Sequence, residues 1–128
     1  GGIPVGINLW DGNRRREKRN ASLQIRNSQL EREQLELGLK ADLSNLWQAY
    51  RNNLRLLNLE RQNLVAAREN HEIAKERYLL GDLSGIEMRE AQKSLLDAEE
   101  RILSAEYNTK VCEISLLQLS GRITKYLE

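Results

Sequence analysis

The stretch that decides the fold is ERYLLGDLSGIE, residues 76–87. It is the strongest break in a helical pattern that otherwise covers most of the chain. Gly81 suits the left-handed conformation that ends a helix, and Arg77 lies in the last turn, where a cation interacts favourably with the helix dipole. Ser84 and Glu87 have the spacing of a capping box, so a second helix is predicted to begin at once. The stretch therefore predicts a tight turn between two antiparallel helices.

The helix before this turn is predicted to cover residues 14–80, because that span has no proline and only one glycine, Gly38. Such a helix would be about 100 Å long. Its apolar residues keep the three-and-four spacing of a coiled-coil seam, with gaps at Arg61 and Arg68. The seam consists of Leu23, Leu30, Leu37, Leu43, Leu46, Tyr50, Leu54, Leu57, Leu64, His71, Ala74 and Tyr78.

The helix after the turn is predicted to cover residues 85–120, with Gly121 ending it and residues 122–128 left as a short remnant. The spacing between successive residues of its repeat alternates strictly between four and three residues. Several of these residues have side chains small enough for a neighbouring backbone to approach closely. The repeat comprises Ala91, Leu95, Ala98, Ile102, Ala105, Thr109, Cys112, Leu116, Leu119 and Ile123. A second apolar stripe, formed by Leu96, Leu103, Ile114 and Leu117, predicts packing against further helices.

The two predicted helices differ in length, since the second would span only about 54 Å. Antiparallel pairing about Gly81 would place Leu116 and Leu119 beside residues 46–50. Residues 14–40 would then have no partner within this chain.

Residues 1–10 differ from the rest of the chain. Aliphatic residues alternate with small or polar ones, a period of two that predicts a strand, and Pro4 would confine this strand to a sheet edge. An extended tail is the alternative. The other interpretation is a strand of an outer-membrane β-barrel, with aliphatic side chains in lipid and a tryptophan at the interface, and these residues alone do not decide between the two. The residues assigned to this membrane strand are Ile3, Val5, Ile7, Leu9 and Trp10.

The sequence contains no pattern typical of an enzyme. His71 stands alone on the seam, Cys112 occupies a small core position, and Met88 is interpreted as packing near the turn. No second histidine or cysteine has metal-ligand spacing, and Gly81 and Gly85 lack the residues that complete a phosphate loop. No apolar run is long enough for a transmembrane helix. We therefore predict no catalytic residue, no metal site and no cofactor.

The basic run at residues 14–19, RRREKR, has three possible interpretations. It can be a solvated helix end, a nucleic-acid contact, or a contact with lipid head groups next to a membrane surface. The chain has a formal charge of only +1, so no overall field favours nucleic acid. We do not predict a nucleic-acid partner.

Together, these features resemble one half of a TolC-like outer membrane efflux protein. Residues 3–15, IPVGINLWDGNRR, are similar to the family's strand that enters its long periplasmic helix, although NLW stands where PLF is usual. Residues 77–81, RYLLG, resemble the family's tip motif, and residues 84–87, SGIE, match the positions after it. The closing LLQLSG, residues 116–121, fits the returning helix. The chain resembles the second of two such repeats, and we interpret it as a fragment.

The resemblance implies a mainly α fold: a long antiparallel helical hairpin over residues 11–121, with its tip near residues 81–85, preceded by the membrane strand. It implies a homotrimeric channel in the bacterial outer membrane that contacts outer-membrane lipid. The helices would form a periplasmic tunnel for efflux or type I secretion, working with a periplasmic adaptor and an inner-membrane pump. The tip residues expected to dock the adaptor are Arg77, Gly81, Asp82, Leu83 and Ser84, with Leu83 as the exposed apolar group.

Two other classes of protein remain possible from the residues alone. A periplasmic adaptor also carries an antiparallel helical hairpin, but strands flank that hairpin on both sides. A purely structural coiled coil would explain the heptads, but neither the alternation in residues 3–10 nor the unequal helices.

Overall fold

The structure is a computed structural model that describes the backbone of residues 5–127 and the side chains of residues 10–127. Helix α1 covers Val5–Leu79 and helix α2 covers Gly85–Leu127. The chain divides into two units, Gly1–Ala41 and Asp42–Glu128, each described below by itself. Neither described helix contains a stretch apolar enough to span a lipid bilayer.

The strand predicted for residues 1–10 is wrong where the structure describes it. Residues 5–10 are helical and form the first turns of α1, while Ile3 and the other residues of 1–4 lie outside the described residues. Eight residues of alternating pattern do not by themselves specify a strand, because a strand needs a neighbour to pair its backbone groups. A helix satisfies those groups within its own segment.

In the first unit, the described side chains of residues 10–41 are exposed except those of Glu36 and Leu39, which are half-buried. The exposed set includes Leu23, Leu30 and Leu37, the first three residues of the predicted seam. This exposure agrees with the expectation that the segment has no helical partner in this chain.

The second unit is an antiparallel hairpin of α1 and α2. The Arg101 Nε atom lies 3.0 Å from the Glu60 carboxylate, and the Thr109 hydroxyl lies 3.2 Å from the Asn53 carbonyl. Nearer the open end, Leu46 and Leu119 line the same groove. The predicted register about the turn is therefore confirmed at Leu119.

The predicted repeat on α2 forms the side of the hairpin core contributed by that helix. Every member of the repeat is buried or half-buried, and Ala98 is the most enclosed, with no exposed surface. Alanine at this position lets the two backbones approach closely. On α1, Arg61 and Arg68, at the predicted gaps in the seam, are exposed. The neighbouring residues take their place in the seam: Glu60 is buried and Ala67 is half-buried.

A polar layer interrupts the apolar core at mid-height. The Asn53 amide donates hydrogen bonds to the Ala49 carbonyl at 2.8 Å and to the Cys112 Sγ atom at 3.3 Å. The Thr109 hydroxyl lies 2.7 Å from the carbonyl of Ala105, one turn earlier. Because each buried polar group has a partner, the layer fixes the register of the two helices at little cost in stability.

Gly121 does not end α2, which continues to Leu127. Ile123 and Tyr126 extend the core repeat and are half-buried. The Thr124 hydroxyl also donates a hydrogen bond to the Ser120 carbonyl across the glycine. Burial of these side chains offsets the roughly 1 kcal/mol that a glycine costs within a helix. The predicted remnant at residues 122–128 is thus helical through residue 127.

Candidate functional site: the hairpin tip

The turn at the hairpin tip is a Schellman motif centred on Gly81. Gly81 has a φ of +78°. Its N–H donates to the Tyr78 carbonyl at 3.0 Å, and the Asp82 N–H donates to the Arg77 carbonyl at 2.8 Å. These are the two hydrogen bonds that define the motif. They satisfy carbonyls that the end of α1 would otherwise leave unpaired.

The Arg77 side chain is clamped onto the same turn. Its Nε atom lies 3.2 Å from the Asp82 carboxylate, and Nη2 lies 3.4 Å from the Asp82 carbonyl. Arginine has five N–H donors, so three remain without a partner in the described chain. Both side chains are largely solvent-exposed, and a pair of this kind contributes less than about 1 kcal/mol to stability. The pair places the guanidinium against the turn, beside Asp82.

Helix α2 starts with the predicted capping box. The Glu87 N–H donates to the Ser84 hydroxyl at 3.2 Å, and the Ser84 N–H donates to the Glu87 carboxylate at 3.4 Å. The half-buried Leu83 precedes the cap, and the buried Met88 follows it by four residues, which is the spacing of a hydrophobic staple. The two capping-box hydrogen bonds restrain the direction in which the chain enters α2.

The apolar surface of the tip differs from the expectation. Leu83 is half-buried rather than exposed, because it occupies the staple position. The exposed apolar side chains are instead those of Leu79, Leu80 and Ile86, of which Leu80 is 83% exposed. Sequence reasoning missed them, although their place off the three-and-four seam indicated exposure. We call these three residues the apolar tip.

The remaining candidate residues are parts of the hairpin core. His71 is half-buried in the α1 seam, Cys112 accepts the Asn53 hydrogen bond, and Met88 is buried beneath the turn. Within residues 10–127, no three acidic, histidine or cysteine side chains lie close enough together to hold a metal ion.

One charged pair in the shaft of the hairpin was not predicted. Glu60 is only 7% exposed and accepts a hydrogen bond from Arg101 across the helix pair. The apolar periodicity gave no sign of this pair, since it identifies apolar seams and not charges that pair across them. The only sequence signal was that Glu60 stands at the seam position between Leu57 and Leu64.

Comparison with known proteins identifies the family. The family model for the outer membrane efflux protein matches residues 1–122. The chain therefore belongs to the outer membrane efflux protein family. Members of this family are channel proteins, and membership implies an outer-membrane location. No curated protein and no solved structure gives a significant match.

Proposed function

We propose that the chain forms part of the periplasmic tunnel of a trimeric outer-membrane channel in a tripartite efflux or type I secretion system. In this proposal, the tip docks a periplasmic adaptor through Arg77, Gly81, Asp82, Leu83 and Ser84. The observation that carries the proposal is the hydrogen-bonded turn at the tip, which presents an exposed arginine, in a chain of the outer membrane efflux protein family.

Three properties of the tip suit it for docking. The free donors of Arg77 can bind carbonyls or carboxylates of a partner. The apolar tip supplies surface whose burial favours association. The turn is also held by two backbone bonds, a capping box and the Arg77–Asp82 clamp, so little conformational entropy is lost when a partner binds.

Within this proposal, the five residues have different roles. Arg77 contacts the adaptor, and Asp82 positions the Arg77 guanidinium. Gly81 provides the positive φ and leaves open space, since no atom lies within 4 Å of where a Cβ would stand. Ser84 and Leu83 hold the start of α2 in place. The apolar tip contacts apolar residues of the adaptor.

The exposed stripes of the hairpin support assembly into a wall of helices. On α2, Leu96, Leu103, Ile114 and Leu117 are all exposed. On α1, Leu59 and Ile73 are exposed as well. A two-helix hairpin cannot bury these residues by itself, and we propose that neighbouring helices of the trimer cover them.

Efflux assays in the full channel test the docking role. Arg77→Asp and Gly81→Asp are expected to impair drug efflux while trimer formation and outer-membrane insertion, followed by cross-linking and fractionation, remain normal. Reversing the charge of residue 77 turns its attraction to carbonyls or carboxylates of the adaptor into repulsion. An aspartate side chain at residue 81 is strained by the positive φ of that residue. The matched control is Arg61→Asp, since Arg61 is exposed on the shaft of the same helix.

A charge swap separates docking from a purely structural effect of the clamp. Arg77→Asp combined with Asp82→Arg keeps an ion pair across the turn but reverses the charges presented to a partner. If Arg77 docks the adaptor, the swapped variant stays defective in efflux. Restored efflux in the swapped variant, or normal efflux in both single tip variants, would contradict the docking role. Loss of the trimer would mean that the tip serves assembly.

A further inference from the structure

The two helices of the hairpin carry opposite charge at the same height. Residues 46–68 of α1 contain four arginines and one acid, and that acid, Glu60, is buried. Residues 95–117 of α2 contain five acids and two cations, one of which, Arg101, pairs with Glu60. This pair shows that the two ranges lie side by side in the hairpin. One side of the hairpin is therefore mainly cationic, and the other is mainly anionic.

Helix α2 has a second apolar face, directed away from α1. Four exposed apolar residues lie within about 40° of one another on the helix circumference, about 180° from Ala105 in the core. They are Leu96, Leu103, Tyr107 and Ile114. Glu106 borders them and is exposed. We call these five residues the outer face of α2.

Helix α1 has an outer face of a different kind. It consists of Arg55, Leu59 and Ala66, which are all exposed. Arg55 and Ala66 lie about 180° around the helix from the core residues Leu64 and Leu57 respectively. This face combines a cation with apolar side chains, and it has no acid.

The two outer faces match each other in height and in charge. In the register set by the Asn53–Thr109 contact, Leu59 is level with Leu103, and Arg55 is level with Glu106. Within the described residues, neither Arg55 nor Glu106 has an ion-pair partner. Two α2 faces placed together would bring acids together, and two α1 faces would bring arginines together. Such contacts between like charges are costly, whereas an α2 face against an α1 face pairs opposite charges.

We propose that the outer face of α2 in one copy of this chain binds the outer face of α1 in a second copy, with both hairpin tips at the same end. Leu103 then packs on Leu59 of the second copy, and Glu106 pairs with its Arg55. Each copy has one face of each kind, so the contact is heterologous and repeats from copy to copy. The contact rests on the proposed wall of helices and specifies it, because it names the helix that covers the exposed stripe of α2.

Sedimentation velocity of the full chain over a range of concentrations tests this pairing. Leu103→Lys and Leu59→Lys each break one outer face and leave the other intact. Both residues are exposed, so the hairpin should keep its helicity in circular dichroism. Each variant alone should associate about 10–100-fold more weakly than the original chain. An equal mixture of the two should form a heterodimer and nothing larger, because one intact face remains on each variant.

The same experiment can overturn the proposal. If Leu59→Lys associates as well as the original chain, the contact joins two α2 faces instead. A mixture of the two variants that stays monomeric, or an original chain that stays monomeric, would also contradict it. Arg77→Asp leaves both outer faces intact and should associate like the original chain. This test and the efflux test of the tip can therefore fail separately.

A charge swap tests the ion pair between copies. Arg55→Glu and Glu106→Arg should each weaken association by about tenfold, and the double variant should recover most of that loss. The matched control is Arg61→Glu, which reverses an exposed charge on the same helix away from the outer face and should change association much less. No recovery in the double variant would overturn the pairing of residues 55 and 106.

Disulfide cross-linking tests whether the tips lie at the same end. In a Cys112→Ala background, a chain with Leu59→Cys is mixed with a chain with Leu103→Cys under oxidising conditions. Residues 59 and 103 lie on opposite sides of one hairpin, so a cross-link reports contact between copies. Ile73→Cys is the control, since residue 73 lies about 21 Å further along α1. We expect residue 103 to cross-link to residue 59 and not to residue 73, and equal yields would contradict the proposed alignment.

Discussion

Replacing Gly81 with alanine tests whether the tip depends on a left-handed residue. Its φ of +78° lies where an L side chain is strained, and no atom stands within 4 Å of the new Cβ. Gly81→Ala should therefore lower the free energy of unfolding by about 1–2 kcal/mol, the intrinsic cost of this backbone conformation, with no added clash. Asparagine tolerates the same conformation better, so Gly81→Asn should cost less than Gly81→Ala.

Gly85→Ala is the matched control for this substitution. Gly85 lies four residues further on, at the first position of α2, and it also has open space around it. Here alanine meets an ordinary helical conformation and should stabilise the hairpin by about 0.4–1 kcal/mol, mainly by restricting the unfolded chain. The two alanine variants are thus expected to change stability in opposite directions.

Urea unfolding of the chain, followed by circular dichroism, measures the difference. With a slope of about 1–2 kcal/mol per molar urea, the midpoints of the two alanine variants should differ by roughly 1 M or more. All variants must be compared at one protein concentration, because self-association raises apparent stability. If Gly81→Ala is as stable as Gly85→Ala, the positive φ at the tip is not a requirement of the fold.

Three further substitutions examine the hairpin shaft. Ala98→Leu should destabilise the hairpin by about 1–3 kcal/mol in thermal unfolding, because Ala98 has no free surface, whereas Ala66→Leu at an exposed position should be nearly neutral. Arg101→Met should cost about 1–3 kcal/mol by leaving the buried Glu60 carboxylate unpaired, and the double variant with Glu60→Gln should recover part of that loss in urea unfolding. Leu103→Lys should weaken self-association in analytical ultracentrifugation without lowering helicity, because Leu103 belongs to the exposed stripe. An unchanged association constant would contradict its place in an interface.

The tip was predictable from the sequence because its signals are local. Gly81, Ser84 and Glu87 act through hydrogen bonds within a few residues, and the residue types needed for those bonds are few. The α2 repeat was predictable for a related reason: a strict heptad pattern places one side chain after another on the same face of a helix.

Other features depend on contacts that periodicity does not encode. The alternation before Trp10 fits a strand only if a neighbouring strand is present, and the described residues 5–10 are helical. Gly121 was expected to end α2, yet the residues after it continue the core repeat. The Glu60–Arg101 pair depends on how the two helices face each other, which becomes visible only once they are paired.

Site-specific photo-cross-linking measures adaptor docking at the tip most directly. A photoreactive amino acid would replace Leu80, in the apolar tip, or Glu69, exposed on the shaft of the same helix, in the full channel expressed with its adaptor. Docking at the tip predicts a cross-link to the adaptor from residue 80 and none from residue 69. A cross-link from residue 69 alone, or equal yields from both positions, would contradict it.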